Sequence, residues 1–176
     1  GSQSIADMAH KLGIAEELGD ALLLGRVHQA LQVLFSWRGP SRTAVEHGKK
    51  ALEYARAVGD TRTAWKAEWA FGLHAGLLGY AAGTLQHIQA AAQLADEMRS
   101  PVMRLWTAEV TIEYRSGIGE WEDALTLADR SIEEARAFGQ RNLLPRLLVW
   151  SALVHCGRGD LDEARARIDA AWQASG

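Results

Sequence analysis

Six histidines, one cysteine and seven tryptophans are the residues through which this chain could do chemistry. A metal centre would draw on His10, His28, His47, His74, His87 and His155. No two of these stand four apart, as ligands on one helical face would, and no HExxH occurs. His47 and His87 lie 40 residues apart, and stacked helices would bring them within roughly 10 Å. Two histidines alone do not make a zinc site, so surface or packing roles are expected of all six and no metal is assigned.

Glu109 and Glu113 stand one helical turn apart, the spacing of a carboxylate pair for acid–base work. A solvated or salt-bridged face accounts for them more simply. Cys156 has no flanking motif that would make it a nucleophile, and no Ser-His-Asp set can be assigned from spacing. The glycine-rich stretch 76–83 lacks the preceding strand of a phosphate loop. The sequence therefore predicts no enzyme and no cofactor.

The tryptophans divide by column once the chain is aligned on itself. Gly39, Gly79, Gly119 and Gly159 recur every 40 residues; Ala44, Thr84, Ala124 and Ala164 follow them, then Ala51, Ala91, Ser131 and Ala171, then Ala55, Ala95, Ala135 and Ser175. In that register Trp121, Trp150 and Trp172 occupy small or apolar columns and are expected in the core. Trp69 and Trp106 fall in polar columns, where Arg26, Lys66 and Arg146 share the position of Trp106 and Gln29 and Glu109 that of Trp69, and Trp37 is set with them. These three are candidates for a binding surface.

A period of this length means stacked supersecondary units. Each repeat reads as a helix pair, with first helices over 21–38, 61–78, 101–117 and 141–157 and second helices over 42–58, 82–98, 120–138 and 160–174. Gly19, Gly59 and Gly139 suit the left-handed residue that ends a helix, and Asp20, Asp60 and Ser100 can cap the next, Ser100 with Pro101 at the first helical position. The turns at Gly39-Pro40-Ser41, Gly79-Tyr80, Gly117-Ile118-Gly119 and Gly159-Asp160 are short enough to force antiparallel hairpins. Small residues on the second helices permit close approach, and Leu52, Ile88, Ile132, Ile168 and Trp172, with Val27, Leu34, Phe71, Val110, Leu147 and Val154 from the first helices, are expected to fill the core. Trp121 is expected to bridge adjacent repeats.

The expected organisation is a cloning scar and disordered start at 1–3, then a single repeat domain over 4–176. Its parts are a half repeat 4–19, full repeats 20–59, 60–99 and 100–139, and a truncated repeat 140–176. Both ends should leave apolar helix faces open, so end-to-end association of copies is expected. The composition, 48% hydrophobic and 23% charged with net charge −3, is that of an ordinary folded protein. Acids and bases are evenly spread, which argues against direct nucleic-acid binding. A lone cysteine and the lack of a long apolar run point to a cytoplasmic chain with no membrane partner.

Gly159-Asp160-Leu161-Asp162-Glu163-Ala164 followed by Ala171 resembles the tetratricopeptide repeat. The 40-residue spacing, with ALEYARAVGD and LLVWSALVHCGRGDLDEARARI, is similar to the long-repeat form in bacterial ATP-dependent transcription regulators of the maltose-regulon-activator, LuxR-type kind. The resemblance implies an all-α, right-handed superhelix (an α-solenoid) of about nine helices. It also implies a noncatalytic sensor or scaffold segment of a multidomain regulator, binding a protein, a peptide or a small-molecule inducer; the alternative is a freestanding adaptor. In that fold the first helices line a concave groove, which here would gather Arg26, Gln29, Lys66, Trp69, Leu73, Trp106, Glu109, Glu113 and Arg146, with Trp37 beside them.

Overall fold

The computed structural model describes residues 2–39, 41–73 and 82–175. Among them are nine helices and no strand: α1 Ser2–Leu18, α2 Ala21–Ser36, α3 Arg42–Val58, α4 Thr61–Gly72, α5 Ala82–Glu97, α6 Pro101–Gly117, α7 Trp121–Ala137, α8 Leu144–Arg158 and α9 Leu161–Ala174. No helix among the described residues is long and apolar enough to cross a membrane.

Local chemistry sets the boundaries. Asp20, Ser41, Asp60 and Ser100 each accept a hydrogen bond from the backbone N–H three residues on, at Leu23, Ala44, Thr63 and Met103, and Pro101 opens α6. Gly19, Gly59 and Gly139 take left-handed φ values of 62°, 70° and 63°. The equivalent place in the remaining repeat holds Arg99, which adopts the same conformation at φ 49°. The backbone turn is thus a property of the repeat, and only the side chain departs from it.

Three boundaries differ from expectation. Helix α1 begins at Ser2, inside the stretch expected to be disordered, because each residue added to an existing helix gains a hydrogen bond. Helix α8 begins at Leu144, three residues late. Had it begun at 141, Pro145 would lie past the first turn, where its missing N–H would orphan the Arg141 carbonyl; the later start leaves that proline in the first turn, where it is tolerated. Helix α4 ends at Gly72. Pro40, His74 and the Gly79-Tyr80 turn lie outside the described residues.

The helices form two compact units, Gly1–Met98 and Arg99–Gly176, divided within one residue of a repeat boundary. Inside each unit consecutive helices pack on one another, the arrangement of a solenoid-like helical repeat. In the first unit Ala51, Leu52, Ala55, Ala64 and Ala67 form a core with Phe71 and Leu94 against it. In the second, Leu105, Ile112, Ala124, Ala128, Ile132, Leu147 and Val154 anchor a larger one. The alanines let helices approach closely, and bulky residues from the facing helices fill the gaps.

Three expected core residues are exposed. Ile168 is 46% and Trp172 83% exposed, because α9 packs through Ala164 and Ala171 and leaves the adjoining flank, with Leu161, outward. Trp121 is 39% exposed; its indole N–H donates to the Ser116 carbonyl at 3.0 Å while the ring lies beside Gly157 of the next helix pair.

Candidate functional site

In the second unit the first helices of two repeats, α6 and α8, pack side by side. Spacing alone places Trp106, Glu109 and Glu113 on one face of α6 and Arg146, Val149 and Leu153 on one face of α8. Glu109 is 1% exposed, and Arg146 closes on it, donating from Nε at 2.6 Å and Nη2 at 2.5 Å to the same oxygen, Oε1. The Arg146 guanidinium also sits 5.6 Å from the centre of the Trp106 ring, a cation–π distance.

Burial pushes the Glu109 carboxyl above its ordinary pKa, against the pull of Arg146 and the Trp150 indole. Glu113 is buried beside it, whereas Val149 and Leu153 are 39% and 48% exposed. The result is an exposed apolar strip on α8 that continues from Arg146, which a buried ion pair holds over the half-buried Trp106 ring.

The first unit holds the other sequence-predicted residues. Arg26 is exposed and paired with Asp60 at 3.1 Å; Trp37, at 56%, is the most exposed of the candidate indoles. Burial would raise the Asp60 carboxyl, but hydrogen bonds from Thr63 and Arg26 outweigh it and hold the group below its usual value. Gln29 and Leu73 are buried, Lys66 is half-buried, and half-buried Trp69 stacks on buried Trp65 with ring centres 6.1 Å apart.

Sequence reasoning missed a polar layer inside this unit. His28 of α2 and His47 of α3 meet Nδ1 to Nδ1 at 2.8 Å. Tyr54 stacks on the first ring at 5.8 Å and Phe35 on the second at 5.7 Å. Glu68 of α4, 3% exposed, accepts from Arg56 at 2.9 Å and meets His87 Nδ1 at 2.5 Å, and Phe71 stacks on His87 at 4.3 Å. Gln32, 1% exposed, donates to the Ala67 carbonyl at 3.1 Å over Gly48, where a Cβ would lie 2.5 Å from its Nε2.

A signal for this layer was present: Glu68 follows His28 by 40 residues just as His87 follows His47, so both contacts span 19 residues in the same register. Among the described residues no group of three or more His, Cys, Asp or Glu side chains could hold a metal ion. Ser151 and His155 share a face of α8 and His155 lies 3.5 Å from Asp160, but the Ser151 hydroxyl is wholly buried and makes no hydrogen bond to the imidazole. Compared with protein-family models and with curated proteins, the chain matches none.

Proposed function

We propose that this chain is a protein- or peptide-binding repeat segment of the tetratricopeptide type, serving as a sensor or scaffold in a multidomain bacterial transcription regulator with an ATP-dependent switch. The observation that carries this reading is the α6–α8 face, where exposed Val149 and Leu153 follow Arg146 along one side of α8 and Arg146 lies over the Trp106 ring. Aromatic and arginine side chains dominate binding energy when a partner desolvates them, and here the guanidinium is already oriented by Glu109, so little side-chain entropy is lost on binding. The partner would offer an apolar anchor beside mixed charge. Signal transduction and a cytoplasmic setting belong to the same proposal, the first resting on the resemblance of the 40-residue repeat and the second on the lone cysteine.

Selection of peptides from a random display library on the intact chain tests it. Selected peptides should carry an apolar anchor, and Trp106→Ala should weaken them by about 2 kcal/mol, roughly 30-fold, while leaving helical content unchanged. Trp69→Ala reports whether the first unit contributes as well. Peptides that bind Trp106→Ala and the parent chain equally would remove the α6–α8 face from the site.

A further inference from the structure

His28–His47 and Glu68–His87 are the same structural contact filled with different chemistry. Each joins a first helix to the second helix of its own pair, and each places a second-helix imidazole against a first-helix polar group. A carboxylate accepts a hydrogen bond whether the imidazole facing it is neutral or charged. Two Nδ1 atoms 2.8 Å apart have room for one hydrogen between them, so one ring must donate and the other accept. When both rings are protonated, N–H faces N–H and the contact cannot persist.

The surroundings amplify that limit. His28 is 2% exposed and covered by Tyr54, so its charged form is poorly solvated. Among the described residues the charged groups that act on the pair come from α3, with Lys50 opposing charge on both rings and Glu46 favouring it on His47. Burial, then His47 and Lys50, bring His28 from 6.5 down to about 4, and burial followed by Lys50 lowers His47 as well.

We propose that the His28–His47 contact is an acid-released latch between α2 and α3: double protonation parts the two rings and loosens this helix pair, while the repeat-equivalent Glu68–His87 contact stays closed. The sign follows from proton binding. Between 6.5 and about 4 the unfolded pair holds more protons than the folded one, so the stability of this contact falls as pH drops through that window and is fully present above it.

Hydrogen exchange of the intact chain, corrected for intrinsic rates, reads this directly. Between about pH 7 and pH 4.5 the amides of α2 and α3 should lose about tenfold or more of their protection, and those of α8 and α9 should not. His28→Gln keeps a hydrogen-bonding group and removes the more deeply buried of the two titrations, so the α2–α3 loss should shrink markedly in that variant. Should His28→Gln fail to fold, NMR titration of the parent's His28 ring decides, with a midpoint clearly below 6.5 expected. A midpoint at or above 6.5, equal loss of protection in α8 and α9, no loss in α2 and α3, or an unchanged pH response in folded His28→Gln would each overturn the latch.

Discussion

The columns that hold His28 and Glu68 in the first unit hold Ala108 and Leu148 in the second, and those of His47 and His87 hold Leu127 and Arg167. Leu148 is 1% exposed and Leu127 packs against the second unit's core, while Arg167 turns to Asp129 at 2.8 Å and Glu163 at 2.9 Å. One repeat backbone therefore carries two kinds of interior. The first unit welds its helix pairs with directional polar contacts; the second fills the same columns with apolar or outward-paired side chains and carries buried carboxylates on α6, Glu109 closed by Arg146 between first helices and Glu113 one turn on. Their pH signs differ too. His28, depressed by burial, contributes stability that is lost toward acid, whereas Glu109, raised by burial, contributes stability present in acid and lost as pH rises.

The largest expected break in this comparison is Arg146→Ala. It strands a carboxylate 1% exposed with its guanidinium gone, and uncompensated buried charges cost about 3–5 kcal/mol. Urea unfolding monitored through the second unit should show that loss at neutral pH. The loss should shrink on acidification, since a protonated Glu109 needs no cation. A loss independent of pH would mean that packing of the arginine stem, not charge, accounts for it. Replacing both partners with leucine should recover most of the stability.

Why so much of the fold was legible, and so little of the interior chemistry, follows from range. Caps and left-handed glycines act within four residues, so Asp60, Ser100 and Gly139 could be assigned from the sequence and stand where expected. The buried ion pair spans 37 residues, and nothing in the polar column of Glu109 indicates that Arg146 closes on it from the neighbouring first helix. Trp172 misled for a related reason: its column is apolar, yet burial depends on which face of α9 is covered, and that face is 83% exposed at Trp172.

A middle-sized effect tests how tightly the first unit's polar layer is built. Gly48→Ala would place a Cβ 2.4 Å from the Phe71 ring and 2.5 Å from Gln32 Nε2. Both are side-chain ends, so they can shift, but Phe71 stacks on His87 and Gln32 is bonded to Ala67, and moving them disturbs the layer. The expected cost is about 1–3 kcal/mol by denaturant midpoint. The same change at Gly83, where nothing lies within 4 Å, should cost nothing and could stabilise its helix. Equal effects at both positions would show that helix propensity, not crowding, dominates.

The smallest effect concerns the one residue that breaks the glycine column. Gly19, Gly59 and Gly139 supply the left-handed turn at no steric cost, whereas Arg99 reaches φ 49° with a Cβ pressed toward its following carbonyl. That conformation costs an ordinary residue about 1–2 kcal/mol. Arg99→Gly relieves it, but adds unfolded-chain entropy worth about 0.4–1 kcal/mol. The difference leaves a net gain of about 1 kcal/mol, a rise in melting temperature of about 2–4 °C for a chain of this size. Calorimetry of Arg99→Gly beside Arg99→Ala separates the terms: alanine shares the Cβ and should show no gain. If both variants melt where the parent does, the left-handed turn carries no strain at this position, and the three glycines reflect tolerance of the turn and not a need for it.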